Sequence, residues 1–305
     1  MEDRIKYYMG KWYDSKISYI TEKADVKDLI HHNSVLIVNK YILELSKNKK
    51  ASNYINPVLD ILNRLSKTVN NKYIAFLWGD NSCYNNKNAI IAKSRIIGDT
   101  NTILLNMNIQ RHWGNIINVD RYDIPFTRKK DIIIWRGVST GSEDRKGNRF
   151  DLVKKYYNYP LDKIDIGFNK IVQGKNSYKN YIKNNISIKD QLEYKYIISV
   201  EGNDMASGLK WQLYSNSVVL MHCPTIESWA MEGQLKPFVH YVPLNSDFSD
   251  LSQRYNWCLQ NQERCRTIST NATNFIKQFF DYTNENLIAD CIMNRYFSNI
   301  YIIIQ

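Results

Sequence analysis

At 305 residues and 36.0 kDa, with 44% hydrophobic residues and only 12 Gly and 6 Pro, the chain is longer than a usual single core and too apolar to be disordered or fibrous. Lysine and arginine (41) outnumber aspartate and glutamate (30) for a formal net charge of +11, which invites a polyanionic partner. The charge is scattered, however: Lys47-Asn48-Lys49-Lys50 and Arg128-Lys129-Lys130 lie beside loop-like residues without the aromatic interleaving of a nucleic-acid groove, so a solvated basic surface is favoured over a nucleic-acid-binding module.

The N-terminal MEDRIKYYMGKWYDSK lacks the apolar run of a secretory signal, and no later stretch reaches the roughly 20 apolar residues of a bilayer span. A cytoplasmic protein without a transmembrane segment is expected. Residues 25–70 carry helical spacing at Val35, Val38, Ile42 and Leu45, then at Val58, Ile61, Leu62 and Leu65, which predicts amphipathic helices. Tyr73-Ile74-Ala75-Phe76-Leu77-Trp78 reads as a buried strand ended by Gly79-Asp80-Asn81, so Asp80 stands at a strand's carboxyl end. Open α/β sheets put their ligands there.

A second unit begins at Asp131-Ile132-Ile133-Ile134-Trp135, a strand stopped by Arg136-Gly137-Val138-Ser139-Thr140-Gly141 and followed by a helix from Arg149 to Tyr157. A strand, a Gly-containing polar loop and a helix make a phosphate-cradling arrangement, although the spacing is not GxGxxG. The pattern recurs at Tyr196–Val200, with Glu201-Gly202-Asn203-Asp204 and a helix from Leu209 to Tyr214, and a further strand runs from Ser217 to Met221. Such near-continuous apolar strands imply a parallel sheet covered on both faces. Lys236-Pro237-Phe238-Val239-His240-Tyr241 reads as a turn entering a strand, with His240 a packing residue, and Ser249-Asp250 offers an N-cap to a helix bearing Leu251, Tyr255 and Cys258. The pattern puts a boundary near residue 130, giving domains 1–130 and 131–305. Cys83, Cys223, Cys258, Cys265 and Cys291 are scattered without a CxxC pair, which favours reduced thiols over zinc or a disulfide framework.

Four blocks carry a family likeness: WRGVSTG (135–141), EYKYIISVEGNDMASGLKWQLYSNSVVLM (193–221), ESWAMEGQLKPFVHYVPL (227–244) and DFSDLSQRYNWC (247–258). Together they resemble glycosyltransferase family 90, the group of protein O-glucosyltransferases and capsule-associated xylosyltransferases, over roughly 75–305. The resemblance implies an α/β, GT-B-like architecture of two Rossmann-like domains with the active site in the cleft between them. The first domain would serve the acceptor and the second the nucleotide sugar, with the last helix a candidate to cross back. It also implies a UDP-sugar donor (glucose or xylose), inversion at the anomeric carbon, a glycan or glycoconjugate acceptor and no obligatory metal or other cofactor. A binding-only relative that keeps the nucleotide pocket without turnover is the alternative.

Inverting transfer needs a carboxylate to take the acceptor hydroxyl's proton. Asp80 matches by order the family's acceptor-side aspartate, against the plain alternative of an Asx turn; Asp99 and Asp123 are the reserves. No HxH, HExxH or Cys/His cluster marks a metal, so the leaving diphosphate falls to Arg136 and Arg149 and to backbone amides around Gly137, Ser139, Thr140 and Ser207. Arg136 has a structural ion pair as its competing reading. Several relatives carry an Arg two residues after the donor-loop Ser; this chain has Ser207-Gly208-Leu209-Lys210, which offers Lys210 as a substitute partner. Glu201 and Gly202 belong to the same donor block, and Glu227 and Glu232 are candidates for the ribose hydroxyls. Arg111-His112-Trp113 offers a cation, an imidazole and an aromatic platform for the acceptor, with a buried Trp as the alternative.

Overall fold

A computed structural model describes residues 1–21, 35–38, 52–65, 74–77, 79–80, 89–159 and 163–304. Ile42, Leu45, the lysines at 47, 49 and 50, Tyr73, Trp78, Asn81 and Cys83 lie outside the described residues. In chain order come α1 (Glu2–Met9), β1 (Ile17–Thr21), β2 (Val35–Val38), α2 (Ser52–Arg64), β3 (Ile74–Leu77), β4 (Ile90–Ala92), β5 (Ser94–Ile96) and β6 (Thr102–Leu104). Next are α3 (Ile109–Trp113), α4 (Ile116–Tyr122), β7 (Lys130–Val138), α5 (Arg149–Tyr156), β8 (Ile164–Lys170), α6 (Ile188–Gln191), β9 (Tyr194–Ile198), α7 (Leu209–Tyr214) and β10 (Val218–Met221). The chain continues with β11 (Ile226–Ser228), β12 (Val242–Pro243), α8 (Leu251–Gln260), α9 (Gln262–Lys277), α10 (Tyr282–Asn299) and β13 (Ile300–Ile304). No helix among the described residues is long and apolar enough to cross a membrane.

Contacts group the chain into two units: Met1–Gln110 with Ile226–Met231 and Phe279–Gln305, and Arg111–Thr225 with Glu232–Gln278. In the first, β2, β3, β4 and β6 form a sheet in that order, with β2 antiparallel to β3 and the rest parallel. β5 pairs with β11 and β1 with β13. The helical spacing at Val58, Ile61 and Leu62 is realised: these side chains are buried along α2 together with Tyr54 and Ile55. Val35 and Val38 are not helical as expected. Residues three apart fit a helix as well as a strand, and here the VLIV run pairs residue by residue with β3, from Val35 opposite Leu77 to Val38 opposite Ile74. Sheet partners decide such short apolar runs.

The second unit is built on a five-stranded, wholly parallel sheet in the order β12-β10-β9-β7-β8. The near-continuous apolar strands follow from its two covered faces. Ile133, Trp135, Tyr196, Ile198, Val218 and Leu220 pack on one side with Phe150, Leu152 and Val153 of α5 and Leu251 and Tyr255 of α8. The intervening residues take the other side: Ile134 and Ile197 with Val119 and Trp211, Val219 and Met221 with Leu209, Leu213 and Ala272. Each such side chain, fully buried, contributes roughly 1.5–3 kcal/mol. The chain is thus mixed α/β. β7 runs past Trp135 through Arg136 and Gly137, because β8 supplies partners for both at Gly167 and Phe168. Asp250 stands at the N-cap of α8, but its carboxylate accepts from the Asn245 amide (2.8 Å) and Arg254 Nε (3.0 Å) and not from a helix N–H.

The strand order places β8 on one side of β7 and β9 on the other, so the winding reverses between β7 and β9. Loops leaving these two strands diverge there, and a crevice opens at their carboxyl ends.

Candidate functional site

That crevice is a cavity of about 350 Å³, within the range of small-ligand sites. Its walls are Trp135 to Val138 of β7, Ile198 to Val200 at the end of β9, Ala206 to Gly208 before α7, and Trp211 and Gln212 on α7. Arg111, Asn115, Arg149, Ile188 and Gln191 complete it. Among the described residues, three arginines line it and no carboxylate does, which suits it to an anion.

Arg149 is the first residue of α5, behind the Asn148 cap whose side chain accepts from the Asp151 amide (2.8 Å). Its guanidinium donates to the Val138 carbonyl (2.9 Å), Thr140 Oγ1 (2.7 Å) and the Val200 carbonyl (3.0 Å), bracing the ends of β7 and β9. Gly202 makes room for this brace: a Cβ there would lie 2.8 Å from Thr140 Oγ1 and 3.0 Å from Arg149 Nη2. Arg136 reaches sideways to β8, donating to both Asp165 oxygens (2.8 and 2.7 Å) and to the Asp165, Trp135 and Asn184 carbonyls. Burial alone would raise the Asp165 carboxyl, but the Arg136 and Lys183 hydrogen bonds prevail and hold it below the usual carboxylate range. Arg136 is therefore the ion pair that was its competing reading, while remaining in the cavity wall. Gly137 lets the Trp135 ring lie along the strand, since a Cβ would meet that ring at 2.7 Å.

The Ser139 and Thr140 amides put forward for phosphate are engaged within the protein, with the Lys170 (3.2 Å) and Val138 (2.9 Å) carbonyls. Ser139 Oγ is buried against the Gln173 carbonyl (2.7 Å). The Glu201 carboxylate accepts from the Thr225 amide (2.8 Å), the Thr225 hydroxyl and Arg145. The Gly202 amide donates to the Asp204 carbonyl (2.8 Å). Lys210 and Glu232 meet each other at 2.5 Å, with side chains only 1% and 2% exposed, so the lysine set against a diphosphate is turned into the core. Of the donor candidates, Arg136, Gly137, Arg149 and Ser207 line the cavity; Ser139, Thr140, Glu201, Gly202, Lys210, Glu227 and Glu232 do not.

Arg111, His112 and Trp113 belong to the second unit. Arg111 lines the cavity, His112 is buried, and Trp113 packs against the cluster of Leu209 and Leu213. Glu227 lies in the first unit on β11, where Arg95 Nε donates to it at 2.7 Å and the Tyr7 hydroxyl also bonds it. Asp80, in the same unit, accepts from Lys93 Nζ at 2.5 Å; the lysine side chain is 4% exposed and the aspartate 28%. Asp99 caps its own turn through the Asn101 amide (2.7 Å) and the Thr102 hydroxyl (2.5 Å), and Asp123 is buried against Lys129.

Ser199, Gln191, Trp211 and Gln212 line the cavity without having been singled out from the sequence. Ser199 had a signal, as the first polar residue after the apolar run of β9; Gln191, on a four-residue helix, had none. Among the described residues, no group of three His, Cys, Asp or Glu side chains could hold a metal, and the described cysteines are free thiols.

The family model for glycosyl transferase family 90 matches residues 102–293, which includes every residue of the cavity wall. O-glucosyltransferase LpsA from Dichelobacter nodosus is 36% identical over 208 residues, 68% of this chain and 61% of that protein. Uncharacterized protein 179R of Invertebrate iridescent virus 6 is 28% identical over 57% of this chain and 17% of its own length. Protein O-glucosyltransferase 2 from Danio rerio is 28% identical over 56% of this chain and 31% of its own. Each of these matches spans less than two thirds of the relative's length. The four sequence blocks and the family model that spans them agree: the chain belongs to glycosyltransferase family 90.

Proposed function

We propose that the chain is an inverting glycosyltransferase of GT-B architecture, moving glucose or xylose from a UDP-sugar to a hydroxyl of a glycan acceptor. The observation that carries the reading is the anion-suited cavity at the β7/β9 reversal, lined by Arg111, Arg136 and Arg149 and, among the described residues, by no carboxylate. The names of the relatives favour glucose. In this reading the diphosphate of the donor enters that cavity, and Ser199 and Ser207 supply neutral hydroxyl donors beside the guanidinium charge. The acceptor oxygen gives its proton to a carboxylate, attacks the anomeric carbon, and the bond to the diphosphate oxygen breaks to release UDP.

Asp80 is the proposed base. Its side chain keeps 28% exposure, whereas the Asp123 side chain is 8% exposed against Lys129, and Asp99 is spent on its own turn. Lys93 Nζ donates to one Asp80 oxygen, Oδ1. Donor charge is handled by arginines, so metal-independent donor binding belongs to the proposal, as does a cytoplasmic setting.

A panel of UDP-sugars scored for slow hydrolysis and thermal stabilisation tests the reading, and UDP titrated with and without EDTA tests its metal independence. Affinity should stay within about tenfold, roughly 1.4 kcal/mol, on chelation. Asp80→Asn should lower transfer by roughly 10²–10⁴-fold with UDP affinity unchanged, since the amide keeps the shape and loses the proton acceptor. Proton NMR of the early product should show the configuration opposite to the donor's; retained configuration rules out a single displacement.

A further inference from the structure

We infer that Arg111, which the sequence pattern assigns to the acceptor, instead carries the charge of the donor's diphosphate. The inference rests on the proposed UDP-sugar reading and names the residue that performs its central electrostatic task.

Three guanidinium groups line the cavity, and the fold treats them differently. Arg136 is paired with Asp165, which takes two hydrogen bonds from it at 2.8 and 2.7 Å and a third from Lys183 at 2.9 Å, and its other donors go to backbone carbonyls. Arg149 is committed to the strand ends through Val138, Thr140 and Val200. Both hold the cavity's shape. Arg111 is exposed on α3 and makes no ion pair or side-chain hydrogen bond among the described residues. A guanidinium has five N–H donors in a planar fork matched to two phosphate oxygens, and no internal partner of Arg111 must be given up for it to use them.

The acceptor assignment fails on place: Arg111 shares its cavity with Gly137 and Ser207, the donor-loop residues at the β7/β9 reversal. An acceptor hydroxyl is neutral and gains little from a cation, whereas a departing UDP develops negative charge on its diphosphate and gains most. Lys210, the sequence's own choice for this task, is sealed against Glu232 at 2.5 Å. Arg111 takes over that task.

The test titrates UDP and uridine against wild type, Arg111→Gln and Arg111→Lys by ligand-observed NMR at low and moderate salt, with thermal midpoints to confirm folding. Arg111→Gln is expected to weaken UDP at least tenfold while leaving uridine unchanged. Arg111→Lys should recover part of the loss, and added salt should shrink the gap between wild type and Arg111→Gln. UDP affinity unchanged in Arg111→Gln, or equal losses for UDP and uridine, overturns the inference while leaving the donor reading intact. A rise confined to the acceptor KM overturns it in favour of the acceptor role. Wild-type protein that binds no UDP overturns the donor reading and this inference together.

Discussion

Glu227 and Glu232 stand close together on either side of Trp229 and read alike in the sequence, yet each finishes in a different unit with a different cation. Glu227 is buried with Arg95 at 2.7 Å, and Arg95 also donates to the Tyr7 (2.7 Å) and Thr102 (2.9 Å) carbonyls, holding the 226–231 segment in the first unit. Glu232 is buried with Lys210 at 2.5 Å, and Lys210 sits on α7 immediately before Trp211 and Gln212 of the cavity wall. The chemistry is the same, a desolvated carboxylate matched to a desolvated cation. What differs is what the pair supports: one secures a chain segment, the other backs a binding surface.

The largest expected effects come from breaking either pair. Lys210→Met takes the cation from buried Glu232, which should cost about 3–5 kcal/mol, and Arg95→Met should cost a similar amount by taking the cation from Glu227. Urea denaturation measures both, and Lys210→Met/Glu232→Leu should regain much of the loss. The comparison sharpens on binding: in folded protein, the Lys210 change should lower UDP affinity and the Arg95 change should not. Equal UDP affinities in the two variants would erase the distinction.

Arg149→Ala comes next. Removing the brace between Val138 and Val200 takes the Arg149 donors from the buried Val200 carbonyl, while the Val138 carbonyl keeps the Thr140 amide; this should cost about 1–3 kcal/mol and weaken UDP by about tenfold. Arg149→Lys should rescue only partly, because a point charge cannot span both strand ends. Calorimetry on the three proteins decides, and wild-type binding in Arg149→Ala would remove this residue from the donor site.

A smaller effect is expected in acid. Because the folded Asp165 carboxyl is held below its unfolded value near 3.9, its contribution is fully present above that value and is lost as pH falls through the folded one. Asp165→Asn should therefore show a shallower fall in thermal midpoint between about pH 5 and 3 than wild type. The smallest effect belongs to His240. Burial first, and Lys236 second, lower its pKa, and its Nδ1 accepts from the Lys236 amide at 3.0 Å, so the ring is neutral in the fold. Its contribution is present above the unfolded value of about 6.5 and declines as pH falls below it. His240→Gln should lessen the drop in midpoint between pH 7 and 5, and identical slopes would show that the ring titrates as freely folded as unfolded.

Much of the second unit was legible. β7, β9 and β10 appear as apolar runs because a parallel sheet buried on both faces leaves no polar alternation, and α7 has the bounds its spacing predicts. β8, IDIGFNK, has no such run, and Asp165 on it is the partner that turns Arg136 into a structural residue. In the first unit, VLIV fits two periods at once, and pairing with β3 decides between them. The cavity was half legible for a related reason: Arg136, Gly137, Arg149 and Ser207 follow strands or open helices, where chain order alone indicates a sheet's carboxyl edge.

The sequence by itself determined the family, the parallel sheet and the presence of cationic residues at its carboxyl edge, because burial periodicity and contiguous motifs are properties of neighbours along the chain. Only the tertiary structure decided which cations remain available to a ligand. Lys210 and Glu232, Arg136 and Asp165, and Arg95 and Glu227 are each far apart in sequence, and a charge is cancelled by whatever the fold sets within about 3 Å of it. Arg111 is left exposed in the cavity wall by that same sorting, through contacts that no local pattern records.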